Sequence, residues 1–439
     1  MTKNLFRPFT NQHTEKLSYL KYGTIGKHKS AYFDYTASGL AFRAVENRIY
    51  DMLTTYANTH SKESGMANQT HNYYEEALDN LKVSLELNDD FEVIPSGCGS
   101  TAAIKRFQEL LGLYIPPATK RRLNINIDKS KLPLVIVGPY EHHSNEISYR
   151  EAMCETARIG LTSEGLVDIE ELEKVLKDNQ DRELIGSFCI ASNVTGIVTC
   201  YKEISNILRR YNAIVCLDAA ASSSYMNIDC NYFDVMYLSP HKLLGGPGSC
   251  GLLVIKKDLI DPSLSPTFAG GGTVSYVSRT TVEYEDNLRA RETAGTPGII
   301  QVIKASLAYQ LRNEIGFDFI LKRKDELLSY FLIQLEKVPN IIIYGNQKSY
   351  NIGIVSFNIK DLDPYMICEN ISTNSGIQTR AGCSCAGPYG HDLLDFDDKD
   401  ELDKKPGWIR VSIHYTQTKE EIDNLIEAIN SSIKTIIKN

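Results

Sequence analysis

The sequence predicts an α/β fold: a large domain built on a mostly parallel sheet, followed by a smaller α+β domain. Three observations predict it. From Ala31 to about Arg291, short apolar runs alternate with segments of helical periodicity, the pattern of βα units. After Gly298 the pattern changes to a long helical stretch, a few strands and a terminal helix. At 439 residues, 42% of them hydrophobic, the chain is long enough for more than one core.

In chain order, residues 1–30 are mixed in character and read as a segment covering the large or the small domain. The apolar run Phe91–Ile94 leads into a glycine-rich turn. Strands are expected at Leu134–Val137, Leu184–Ala191, Ala213–Leu217, Val235–Leu238 and Gly251–Ile255, where four or more apolar residues run together. Between them, helices are expected at Tyr73–Glu86, Thr101–Leu111, Ile169–Asp178 and Lys202–Tyr211. The second region reads as one helix from Ile299 to Glu336, strands Ile341–Tyr344, Ile354–Ile359 and Ile409–His414, and a last helix Lys419–Lys438. This places a large domain at residues 31–300 and a small one at 301–439, with the boundary inside the long helix. Two charged stretches, Pro116–Pro133 and His391–Pro406, read as solvated insertions.

A net charge of -8 argues against a nucleic-acid partner. No stretch reaches the roughly 18 consecutive apolar residues of a membrane span. Met1–Asn11 lacks the apolar core of a secretory signal. Ten cysteines scattered over this length do not form a small-domain disulfide framework; they fit a reducing compartment, and the cytoplasm is the expectation.

Four segments carry chemistry. In Tyr237–Gly246 an apolar strand runs into Ser239-Pro240-His241-Lys242 and then a glycine pair. A lysine held in a desolvated turn forms a Schiff base with an aldehyde cofactor, and Ser239 and His241 beside it can donate to a phosphate. Alone, such a segment is also an ordinary surface turn. Ile214–Asp218 is an apolar strand ending in a carboxylate; at the carboxyl end of a sheet strand Asp218 faces the ligand crevice of α/β proteins. There it would pair with a pyridinium nitrogen, although an Asp in this place also caps helices. Gly97-Cys98-Gly99-Ser100-Thr101 sets glycines and hydroxyls at a helix start, which makes a phosphate cradle. Glu141-His142-His143 follows a strand, and a His there can stack on an aromatic cofactor or act as acid/base. Adjacent histidines lack zinc-ligand spacing, so no metal is expected.

In this order, and from Tyr32-Phe33-Asp34-Tyr35-Thr36-Ala37-Ser38 to about residue 430, these segments resemble the aminotransferase class V group of pyridoxal 5′-phosphate (PLP) enzymes, cysteine desulfurases and selenocysteine lyases in particular. The resemblance implies PLP-dependent transferase fold type I, with a seven-stranded sheet and a homodimer. It implies that Lys242 carries the cofactor and that Asp218 pairs with its ring nitrogen. Ser100, Thr101, Ser239 and His241 would bind the phosphate, with Thr296 of Gly295-Thr296-Pro297 reaching in from the other subunit. His142 would stack on the ring, Asn193 would lie near the cofactor hydroxyl and the substrate, and Arg410 would grip the carboxylate of a small amino-acid substrate. One position departs from the desulfurase pattern: Ala221 stands where a glutamine is usual, three residues after Asp218.

Arg380-Ala381-Gly382-Cys383-Ser384-Cys385-Ala386-Gly387-Pro388 is similar to the loop that bears the desulfurase nucleophile. The thiol five residues after the arginine is Cys385. Arg380 beside it would favour the thiolate and stand near the substrate. By this resemblance the reaction releases sulfur or selenium from cysteine or selenocysteine, leaving alanine and a persulfide on Cys385 for an acceptor protein. Cys383 is an additional thiol that would resolve a persulfide, pass sulfur on, or do neither. The alternative keeps fold and cofactor and drops sulfur: an aminotransferase, epimerase or other lyase.

Overall fold

The computed structural model describes residues 4–9, 15–26, 31–61, 63–123, 128, 131–397 and 406–438. Seven strands form the main sheet: β1 (Phe91–Ser96), β2 (Leu134–Val137), β3 (Glu155–Arg158), β4 (Leu184–Cys189), β5 (Ile214–Asp218), β6 (Val235–Leu238) and β7 (Gly251–Lys256). Their order is β1-β7-β6-β5-β4-β2-β3. β7 runs antiparallel to both neighbours and every other pairing is parallel. The expected mostly parallel α/β sheet is therefore present.

The strands are apolar on both faces because both faces are covered. Leu134, Ile136, Leu252 and Val254 belong to one core with the helices Arg43–Leu53, Gly65–Ser84, Ile169–Asp178, Tyr201–Arg210 and Ile299–Ile315. Their alternate neighbours Val135, Val137, Leu253 and Ile255 pack on the opposite side against Phe107 and Tyr149. The edge strand β3 is polar and half-exposed, so it carries no apolar run by which a sequence reading would find it.

A hairpin of β8 (Val274–Val277) and β9 (Val282–Tyr284) stands largely exposed. The second sheet is antiparallel throughout: β10 (Ile341–Ile343), β11 (Ile354–Ile359), β12 (Arg380–Gly382) and β13 (Trp408–Ser412), in the order β10-β11-β13-β12. The helices Phe317–Leu335, Pro364–Ser375 and Lys419–Lys438 build its core around Phe357, Ile409 and Val411.

The single helix expected over Ile299–Glu336 is two helices, Ile299–Ile315 and Phe317–Leu335. Gly316 breaks it at φ +86°, a conformation that costs glycine nothing and other residues a good deal. The first helix and the first turn of the second, through Ile320, pack on the main core, and the second joins the small core from Leu327, so the change of core falls just past the break. β4 ends at Cys189 rather than Ala191, which instead bridges Val198 in a turn. β5 runs one residue beyond the expected strand, to Asp218 itself.

The N-terminal segment packs through Leu5, Phe6 and Phe9, all buried. The Arg48 guanidinium lies 3.4 Å from the Phe9 ring centre and donates to the carbonyls of Leu5 and Pro8. Further on, Phe33 exchanges backbone hydrogen bonds with Gln378 and Ser412 and so belongs to the small core. The first charged insertion carries a short helix, Pro117–Leu123, with no buried residue, as a solvated insertion should. The second begins inside a helix, Gly387–Leu394, where Asp392 pairs with Arg158; residues 398–405 lie outside the described residues.

Candidate active site

Six of the seven main strands share one direction, so their carboxyl ends open at one edge of the sheet, where α/β proteins place ligands. Five of those ends deliver the chemistry. Ser100 and Thr101 follow β1, His142 follows β2, Asn193 follows β4, Asp218 closes β5, and Ser239, His241 and Lys242 follow β6. The small sheet closes the space with Arg380 of β12, Arg410 of β13 and the turn bearing Cys385. All of them line one cavity of about 230 Å³.

One end of the cavity is a cradle. The backbone N–H of Ser100, at the start of the helix Gly99–Leu110, donates to Ser239 Oγ at 2.9 Å, and the Thr101 and Ser144 hydroxyls bond at 2.7 Å. Gly99 has φ +67°, and a Cβ there would meet His241 Cε1 at 2.9 Å and Ser239 Oγ at 3.3 Å. A side chain at Gly99 would thus fill the cradle. Burial, with the nearby Lys242 charge, pushes the His241 imidazole down to about 4, so at neutral pH it is uncharged.

Asp218 and Lys242 face one another across the cavity with opposite demands. Burial raises the Asp218 carboxyl, against the lowering effect of the Ala220 N–H, which donates to Oδ1 at 2.9 Å, and of Lys242. Lys242 sits on the turn Pro240–Lys242. Its amine is pushed down to about 8, mainly by burial; Asp218 opposes this, and Arg410 and Arg380 reinforce it. A lysine in such a place is prepared for covalent chemistry.

His142 caps the helix His143–Arg150, its Nδ1 accepting from the Ser144 N–H at 3.1 Å. That bond assigns the ring proton to Nε2. Burial first, then Lys242, holds the imidazole down to about 4. Asn193 is 8% exposed; its Nδ2 donates to the Ser384 carbonyl at 2.7 Å, and its Oδ1 is buried with no partner. Arg410 is 2% exposed, donating through Nη1 to the Asn193 carbonyl and through Nη2 to Asp34 Oδ1 at 2.7 Å, while its Nε is unpartnered.

Cys383–Ala386 is a tight turn, closed by the Ala386 N–H donating to the Cys383 carbonyl at 3.1 Å. Its central residues, Ser384 at φ +54° and Cys385 at φ +58°, are both left-handed, the mark of a type I′ turn made without glycine or asparagine. Each such residue costs on the order of 1–2 kcal/mol, so the turn is held from outside. Asn193 holds the Ser384 carbonyl, Trp408 Nε1 donates to Ser384 Oγ at 3.3 Å, and the His143 N–H donates to the Cys385 carbonyl at 2.8 Å. The turn directs Cys385 to the cavity and Cys383 away from it, against the main hydrophobic core.

Eleven of the twelve sequence-predicted site residues therefore meet in one cavity. The twelfth, Thr296, is exposed elsewhere on the chain, its hydroxyl accepting from Asn58 Nδ2 at 3.0 Å. Ala221 lines the cavity with only a methyl group. Sequence reasoning assigned no role to Asp34, Cys189 or Tyr140. Cys189 and Tyr140 read in the sequence as ordinary strand and turn residues, and nothing local marks Asp34 as the partner of an arginine 376 residues away.

Known proteins are similar to this chain in sequence and in fold. A probable cysteine desulfurase of Staphylococcus aureus is 28% identical over 409 residues, 92% of each chain. One of Halalkalibacterium halodurans is 30% identical over 307 residues, 68% of this chain and 70% of its own. Among solved structures, a cysteine desulfurase of Thermococcus onnurineus superposes with a TM-score of 0.77 at 22% identity, covering 92% of this chain and 95% of its own. A cysteine desulfurase of Escherichia coli, in its S-sulfonic acid form, superposes with 0.78 at 20% identity, covering 96% and 100%. The profile of the aminotransferase class-V family matches residues 31–425, nearly the whole chain, and this chain belongs to that family.

Proposed function

We propose that this protein is a pyridoxal 5′-phosphate-dependent cysteine desulfurase, which takes sulfur, or selenium from selenocysteine, onto Cys385 and leaves alanine. The observation that carries the reading is that Cys385 lines the same cavity as Lys242, Asp218 and Arg410. An aminotransferase needs the last three and has no use for a thiol held there by a strained turn.

The residues present fit the cofactor. A cradle that a Cβ on Gly99 would fill suits a phosphate, with Ser100, Thr101, Ser239 and His241 around it. The buried Asp218 carboxylate suits a pyridinium nitrogen, and the unpartnered Asn193 Oδ1 faces the same space. Lys242 would hold the aldehyde carbon. When bound, the cofactor supplies an electron sink that weakens bonds at the substrate's α and β carbons.

The chain's own residues do the rest. Arg410 and Arg380 take the substrate carboxylate, with Asn193 beside them. His142, neutral and with its proton on Nε2, would lie against the cofactor ring and hold a proton there. The bond made is from Cys385 Sγ to the substrate sulfur; the bond broken is Cβ–S, and Cβ takes a proton, so thiol plus cysteine gives persulfide plus alanine. The persulfide then passes to an acceptor protein.

We keep the assignment of a large cofactor domain from residue 31 and a small one after it, covered by residues 1–30, but move the boundary from residue 300 to beyond the helix Ile299–Ile315, which packs on the main core, with Phe33 reaching across into the small one. Thr296, exposed on its own chain, would serve the partner's site in a homodimer working in the cytoplasm. Among the described residues no helix is long and apolar enough to cross a membrane. The test is mass spectrometry after brief exposure to cysteine, with alanine measured alongside. A sulfur adduct on Cys385 with equimolar alanine is expected. No adduct on any cysteine, with amino transfer to a keto acid, would make this an aminotransferase.

A further inference from the structure

His143 lies outside the cavity lining, yet it is bonded to the thiol turn at two points. Its backbone N–H opens the helix His143–Arg150 and donates to the Cys385 carbonyl at 2.8 Å. Its Nε2 accepts from the N–H of Gly387, the first residue of the helix Gly387–Leu394, at 2.8 Å. The first N–H groups of a helix have no partner within it. Two helix starts are thus capped reciprocally, one by the carbonyl of Cys385 and the other by the ring of His143. The fit is close, for a Cβ on Gly387 would come within 3.1 Å of that same Nε2.

The strained pair Ser384 and Cys385 runs directly into these anchors, which grip the chain at the Cys385 carbonyl and at Gly387. Non-glycine residues hold left-handed dihedrals only while their surroundings over-determine them. The clasp on the Cys385 side of the turn is His143, and the clasp on the Ser384 side is Asn193 with Trp408. Removing the His143 ring frees the Gly387 N–H and lets the turn relax toward an ordinary conformation, which carries the thiol off its line to the cavity.

We propose that His143 is a positioning residue that latches the Cys385 turn against the cavity through its imidazole Nε2. The proposal rests on the reading of Cys385 as the sulfur-accepting thiol. The ring acts only as an acceptor from a backbone N–H, so a glutamine carbonyl, which reaches about as far, serves in its place. Alanine does not.

The experiment uses the holoenzyme and its His143→Ala and His143→Gln variants, each first checked for cofactor absorbance and thermal melting. Loss of one neutral hydrogen bond corresponds to a roughly fivefold change. In His143→Ala, single-turnover formation of the Cys385 sulfur adduct should slow about fivefold, with KM for cysteine unchanged. Alkylation of Cys385 by iodoacetamide should rise by a similar factor, since the released thiol spends more time in solvent. His143→Gln should restore both rates. Wild-type rates in His143→Ala would overturn the latch, as would failure of glutamine to restore them, or a raised KM with kcat intact. The alkylation arm separates the two readings. If the wild-type protein forms no adduct on Cys385, the desulfurase reading fails, and the alkylation rates alone still decide whether His143 latches the turn.

Discussion

Arg410, which lines the cavity, and Asp34, 376 residues away in sequence, form a 2.7 Å ion pair. Arg410 is buried and Asp34 partly exposed, so the carboxylate compensates a guanidinium that has little water of its own. Asp34→Asn should lower the unfolding free energy by about 2 kcal/mol, less than a fully buried pair because Asp34 still sees solvent. Thermal and urea melts of the cofactor-loaded protein check it. Arg410→Lys should raise KM for the amino acid at least about tenfold with the cofactor absorbance intact, since an ammonium cannot form the bidentate contact. An unchanged KM would remove Arg410 from substrate binding.

As the proposed cofactor lysine, Lys242 should make assembly of the holoenzyme pH-dependent. Its amine is pushed down from the ordinary 10.5 to about 8, and only the neutral amine attacks an aldehyde. Below that value it is mostly charged and inert; above it, mostly neutral. The rate of cofactor reconstitution should rise about tenfold per pH unit up to roughly pH 7.5 and level off above 8. A rate still climbing at pH 9.5 would show an ordinary solvated lysine.

Lys242→Ala should abolish the covalent link to the cofactor, read as the absence of a borohydride-reducible adduct. Asp218→Asn should retain the cofactor and lower kcat on the order of 10²-fold, because a neutral amide cannot keep the ring nitrogen protonated. Full activity in that variant would deny Asp218 its electrostatic role.

Cys385→Ala should bind cofactor and cysteine normally and lose sulfur release by at least about 10³-fold. Selenocysteine turnover should survive in part, because the weaker C–Se bond breaks without an attacking thiol. Cys383 packs against the main core, away from the cavity. Cys383→Ala should therefore leave formation of the Cys385 adduct unchanged and affect only its onward transfer. An adduct on Cys383 with none on Cys385 would reverse the two.

Much of this protein is legible one segment at a time. The buried strands β2 and β6 are unbroken apolar runs, β5 is one up to its last residue, Asp218, and Lys242, Asp218 and the Gly97–Thr101 turn each stand where a strand ends. Periodicity and end signals act over a few residues, so sequence alone determines them. Short polar elements escaped for the same reason: β3 and β12 have no apolar run, and the break at Gly316 is one residue in a continuous helical pattern. Only the tertiary structure decided the pairing of Arg410 with Asp34, the left-handed turn that sends Cys385 to the cavity and Cys383 against the main core, and the clasp between His143 and Gly387. Each depends on how the small sheet packs over the carboxyl edge of the large one, and that packing joins residues hundreds of positions apart whose local sequence carries no trace of the partner.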